Sequence, residues 1–379
     1  MNLSHWEQEI YLRDIDVIII GSGIVGLNAA LNLKITAPRL KVLVLERGVL
    51  PSGASTKNAG FACFGSVSEL LDDLGRQDED QVFSLVERRY KGLKRLRKNL
   101  GDKAMAYEAL GGFEVFGPND RALYEQCSAR IEEFNRRLKK ITGRAGVYKR
   151  SDRKIKSLGI KGIEHIIENT AEGQIHTGKM MQALIQRVHK MGVLILNGIH
   201  VHSFGSRGDF VSLLVNDGME IKGRRLLICT NGFARQLLPG YPVTPARAQV
   251  MITSPVKNLR LKGAFHYDRG FYYFRNVGNR VLIGGGRNMD FKGEETTEAG
   301  LTRAIQEKLE AMLRNMIVPY ADFTIESRWS GIMGVGPQKS PIIRQVNGNV
   351  YCAVRMGGMG VAIGSLVGED AAKMILRSF

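Results

Sequence analysis

Apolar residues gather first at positions 15–20, Ile-Asp-Val-Ile-Ile-Ile, a short β-branched run of the kind buried on both faces of a parallel sheet. Residues 27–34 then read as a helix, and 41–46 as a second apolar strand that ends on Glu46. Farther along, the pattern predicts charged amphipathic helices within 67–100 and over 122–141, and strands over 193–196 and 225–228. Three more strands are expected at 248–253, 270–275 and 280–286, the last two joined as a hairpin through Asn276, Gly278 and Asn279. A helix over 297–316, a strand over 320–329 and a helix over 361–376 complete the outline. No internal repeat or low-complexity linker interrupts it.

Between the first strand and the first helix stands Gly21-Ser22-Gly23-Ile24-Val25-Gly26. Strand, glycines, helix, strand and a terminal acid about twenty residues on form a complete dinucleotide-binding βαβ unit. The first glycine makes the turn, the second admits a pyrophosphate to the backbone, and the third lets helix and strand pack closely. The helix N-terminus offers free N–H groups to the anion. Glu46 is positioned to accept from ribose hydroxyls, which argues against a 2′-phosphate and hence against NADP.

Composition changes this picture little. The chain has 379 residues, room for two lobes, and a formal charge of +17 that favours anionic partners without choosing among them. Cys63, Cys127, Cys229 and Cys352 are too scattered for a zinc site or a disulfide framework, so no metal is expected and a reducing cytoplasm fits best. Residues 1–14 lack the pattern of a secretory signal, and no apolar run is long enough to span a bilayer. Any membrane contact is expected to be peripheral, at the inner face.

After Glu46 comes Arg47, then a glycine- and hydroxyl-rich loop, Gly53-Ala54-Ser55-Thr56-Lys57-Asn58-Ala59-Gly60, where a nicotinamide dehydrogenase would proceed to its next strand. This stretch resembles the segment beside the flavin in the D-amino-acid oxidase superfamily, which includes glycine oxidase, sarcosine oxidase and the D-amino-acid dehydrogenases. Further segments are similar in order: 172–180, a strand at 193–196 leading to Val201 on the adenine side, and 225–232 ending in Thr230, Asn231 and Gly232. Gly331 follows, and then Gly357-Gly358-Met359-Gly360-Val361, which looks like the C-terminal loop and helix start against the flavin.

The resemblance implies an α/β fold: a Rossmann-type FAD-binding domain from residues 12–75, 171–243 and 326–379, and an inserted α+β substrate domain on an antiparallel sheet from 76–170 and 244–325. FAD is expected to be bound non-covalently, since no cysteine lies between Cys229 and Cys352. The implied reaction removes a hydride from the amine-bearing carbon of a small amine or amino acid and leaves an imine that hydrolyses. Tyr272 or Tyr273 is expected over the substrate, only one of them because adjacent strand residues face opposite ways. Arg275, Arg287 and Lys57 are candidate charges around it. Where the family carries a carboxylate-clamping arginine, this chain has Met333, so Arg355 is the candidate replacement.

Alternatives follow from the same residues. The excess of Lys and Arg allows a modified nucleoside of tRNA as substrate. A 2-hydroxy acid would need a base such as His176, His266 or a tyrosine. Loss of the clamp also allows a binding module without catalysis. The electron acceptor, oxygen or a respiratory carrier, is written in no motif.

Overall fold

The computed structural model describes residues 3–216 and 218–379. The first apolar run forms the centre of a six-stranded sheet, ordered 342–347, 350–354, 225–228, 17–20, 42–46, 194–197. All neighbours are parallel except the edge pair Ile342–Asn347 and Val350–Val354. Val17–Ile20 and Val42–Glu46 are buried throughout, as two-sided coverage requires. The helices Ile24–Thr36 and Gly360–Leu376 pack together on one face, and Glu79–Leu100 packs on the second of them. Gly92 makes that contact possible, because a Cβ there would collide with the Ala362 carbonyl.

The second sheet has eight strands, ordered 325–335, 244–253, 280–285, 272–277, 264–267, 112–116, 165–169, 148–150. It is antiparallel except where Ala264–Tyr267 lies parallel to Gly112–Phe116. The aromatic and aliphatic side chains of Phe113, Phe265, Phe274 and Ile283 fill its core. Residues 326–335 belong to this sheet by pairing, although their C-terminal half borders the flavin-side segments. A three-stranded meander, Val201–Arg207, Phe210–Val215 and Met219–Gly223, has no counterpart in the sequence expectations.

Several boundaries differ from expectation. The strand expected from Gly270 starts at Tyr272, because Gly270 is in the left-handed region at φ 79°. The helix expected over 297–316 is Arg303–Met312 followed by a π turn at Leu313–Ile317. Residues before it are held extended instead: Glu294, fully buried, binds Arg247 and Gln249, and Thr302 N–H donates to the Gln249 side chain at 2.9 Å. The strand expected over 320–329 runs Ile325–Val335, since Ser330 and Gly331 continue the pairing with Thr244–Thr253.

Candidate active site

The glycine motif builds one end of the site. Gly21 leaves its strand at φ 104°, and a Cβ there would sit 2.9 Å from the Cys229 carbonyl oxygen on the neighbouring strand. A side chain on Gly26 would collide with the Gly21 carbonyl, so helix and turn can approach only because it has none. The helix Ile24–Thr36 has no cap from its own Gly23; Ser55 Oγ reaches over from the following loop and accepts from Ile24 N–H at 2.9 Å. Glu46 is buried at its strand end, accepting from Ser22 N–H (3.1 Å), Ser22 Oγ (2.8 Å) and Gly48 N–H (3.0 Å).

From this end a continuous cleft of about 1040 Å³ runs between the two sheets. That is at the upper limit of small-molecule sites, about 300–1,000 Å³, and leaves room for a dinucleotide and a second small molecule. Thr230 Oγ1 borders it buried and without a hydrogen-bond partner, as expected of a group that binds a ligand. The helix Gly360–Leu376 also opens onto the cleft with no side-chain cap. Uncapped helix starts, a glycine turn, a rim carboxylate and an orphaned hydroxyl fit the phosphates and ribose of FAD.

Most residues marked in the sequence border this cleft: Gly21, Gly23–Val25, Glu46 and Arg47, Ser55, Asn58–Gly60, Val201, Thr230 and Asn231, Gly331, and Gly357–Val361. Others are turned away. Ser22 serves Glu46, Gly26 lies beneath the turn, and the Thr56 hydroxyl donates to the Pro51 and Gly53 carbonyls. Gly232 backs onto the Met333 carbonyl, where a Cβ would lie at 2.6 Å.

Among the candidate substrate residues, Tyr273, Arg287 and Lys57 border the cleft. Tyr272 does not, because strand alternation turns it into the core beside Phe274. Arg275 shares the Tyr273 face but lies behind the loop, its Nη1 donating to the Gly60 carbonyl at 3.4 Å. Arg355 is no carboxylate clamp: its Nε donates to Ser340 O (3.0 Å) and its Nη1 to Pro242 O (3.2 Å), tying down a turn. His176 is exposed and caps the helix Thr177–Lys190, with Nδ1 accepting from Lys179 N–H. Cys352 is buried in its strand, whereas Cys63 borders the cleft.

The far end is an aromatic chamber. Phe61 meets His266 edge-on at 5.2 Å between ring centroids and Tyr273 likewise at 5.6 Å. His266 Nε2 is buried with no partner. Burial lowers the His266 pKa against the opposing pull of Glu69, so the ring is neutral near pH 7. Burial also pushes the Tyr273 phenol up to about 12 and lowers the Arg287 guanidinium, which sits 4.7 Å from the Phe291 ring centroid.

Behind the chamber, Glu172 accepts from Phe64 N–H (2.7 Å) and Gly65 N–H (3.1 Å), while Glu114 is held by Ser66 and Ser68. Burial raises these carboxyls to about 8 and about 7. Ligand atoms of Cys63, Glu172 and His266 lie within 4.8 Å of one another. Burial also raises the Cys63 thiol, so two of the three favour their protonated forms, which opposes a cation there.

Glu69, Arg89 and the aromatic Phe271 and Phe291 also border the cleft and carry no sequence motif. Arg89 nevertheless leaves a trace. It interrupts the apolar row Val82, Leu85, Val86, Leu93, Leu96 at helical spacing, where a solvated charge does not belong.

A family model described as FAD dependent oxidoreductase matches residues 16–374. The chain belongs to this family. It is an FAD-dependent oxidoreductase, and the glycine-lined end of the cleft is where its residues fit the cofactor. The flavoprotein is 24% identical over 379 residues to a probable oxidoreductase, OrdL, of Rhizobium meliloti (strain 1021), covering 96% of this chain and 83% of that one. Its fold is similar to that of L-proline dehydrogenase from P. horikoshii, with a TM-score of 0.76, 17% identity and coverage of 96% and 94%. Glycine oxidase from Bacillus cereus ATCC 14579 gives a TM-score of 0.75, 17% identity and coverage of 97% and 96%. Among the described residues, no helix is long and apolar enough to cross a membrane.

Proposed function

We propose that this flavoprotein oxidises a small amine or amino acid at the carbon bearing nitrogen, with FAD held non-covalently along the glycine-lined half of the cleft. Bound FAD supplies the acceptor for the hydride. The observation that carries the reading is a neutral His266 that borders the cleft against Phe61, its Nε2 buried without a partner. A substrate ammonium must lose a proton before its carbon can release a hydride, and a neutral imidazole near pH 7 is suited to take it. Phe61 and Tyr273 restrict the orientations of a small substrate and displace water from beside it. Lys57 and Arg287 add positive potential at that end.

The same nitrogen favours a second reading, a 2-hydroxy acid, because it could equally accept a hydroxyl proton. Product analysis separates the two. The purified protein is incubated with D- and L-amino acids, N-methyl amino acids, polyamines and 2-hydroxy acids, with oxygen or an acceptor dye. Ammonia or a released amine in step with a carbonyl product supports amine oxidation. A carbonyl product from hydroxy acids alone replaces it with the second reading.

A further inference from the structure

Two charges at the chamber end attract each other yet form no ion pair among the described residues. Arg89 is 4% exposed, yet among the described residues its one hydrogen bond runs from Nη1 to the Phe64 carbonyl at 3.3 Å, and its buried Nε has none. Glu69 and Asp73 attract it from beyond ion-pair distance, and it borders the cleft. A buried guanidinium so thinly satisfied is costly unless a ligand completes it. Glu69, in the first turn of the helix Val67–Leu74, accepts from Ser66 N–H through Oε2 at 3.0 Å. Its Oε1 is turned toward Gly270, where a Cβ would lie 2.9 Å away. Burial pushes the Glu69 carboxyl up, but the charges of Lys339 and Arg89 and the Ser66 amide hold it below the usual carboxylate range. Nearby rim charges are already matched: Asp72 with Arg76 at 3.1 Å, and Asp73 with Lys339 at 2.5 Å.

We propose that Arg89 and Glu69 read the two ends of a zwitterionic substrate, Arg89 taking the carboxylate and Glu69 the ammonium group, so that the carboxylate contact comes from the helix Glu79–Leu100 and not from the position of Met333. This assignment rests on the amine-oxidation reading. It makes carboxylate recognition part of helix packing, because Gly92, on the same helix, sets its distance from Gly360–Leu376. Lys at position 89 would keep the charge but lose the forked donor geometry that suits a carboxylate.

The test titrates the FAD-loaded protein with propionate, a carboxylate without an amine, and follows the perturbation of the visible flavin band. Arg89→Met should weaken propionate binding by about thirtyfold or more, and Arg89→Lys by less, with FAD content unchanged. In the wild type, an amino acid should be oxidised with a kcat/KM about a hundredfold above its decarboxylated amine, a comparison that needs no variant. Glu69→Gln should raise KM for the amine without weakening propionate binding. Unchanged propionate affinity in Arg89→Met, or equal turnover of amino acid and amine by the wild type, would overturn the assignment. Arg89-dependent propionate binding in a protein that oxidises no amine would instead remove the amine-oxidation reading and leave Arg89 as an anion site.

Discussion

The two ends of the cleft are built by different means. The glycine-lined end offers a cofactor backbone amides, helix starts and one carboxylate, drawn from residues 21–60, a few later strand ends and the loop Gly357–Val361. At the chamber end, side chains arrive from separate elements: Phe61 from a short strand, Glu69 and Arg89 from two helices, His266 and Tyr273 from the larger sheet. Backbone recognition demands glycine at fixed spacing, whereas side-chain recognition demands only that distant segments converge. The first leaves a local signature and tolerates almost no substitution; the second leaves none and should fail in graded steps.

That contrast is most easily broken at Gly26. Gly26→Val drives a branched side chain into the Gly21 carbonyl and should yield little folded, FAD-containing protein, read as loss of the visible flavin absorbance on purification. His266→Ala should retain FAD yet lower kcat/KM about 10²- to 10³-fold, with a shifted acidic limb of the pH–rate profile. If it lost FAD as fully as Gly26→Val, the two ends would not be separable. Glu46→Gln keeps the shape but removes the charge at the strand end that borders the cleft, and should weaken FAD binding about tenfold, measured by flavin fluorescence on dilution.

Smaller effects sharpen the chamber side. The Glu172 and Glu114 pKa values are raised by burial to about 8 and about 7, so their contribution to stability is fully present below the ordinary carboxyl range and is lost as pH rises through those values. Glu172→Gln should therefore raise Tm relative to wild type at pH 9 and change it little at pH 5, in thermal melts at matched ionic strength. Arg287→Ala, at the rim against Phe291, should raise KM by severalfold with kcat nearly unchanged.

The same contrast explains what could be read without coordinates. Residues 15–46 disclosed their strand, turn, helix and terminal acid because each fills a position that backbone geometry restricts. Tyr272 and Tyr273 disclosed that one of them faces the cleft, but not which, since alternation fixes the difference and not the phase. Arg355 misled because its place in the chain matched the expectation while its guanidinium turned to the Ser340 and Pro242 carbonyls. Arg89 lay within a helix rich in solvated charges, and only its place in the apolar row set it apart. The meander at 201–223 was missed because its strands are half-exposed and mix polar with apolar residues.

The most direct measurement is an anaerobic titration of the purified yellow protein with amines, amino acids and 2-hydroxy acids, following the visible flavin band. The account predicts that an amine or amino acid bleaches the band to completion, and that His266→Ala slows the bleaching while keeping the colour. Bleaching by 2-hydroxy acids alone, or at an unchanged rate in His266→Ala, would contradict it.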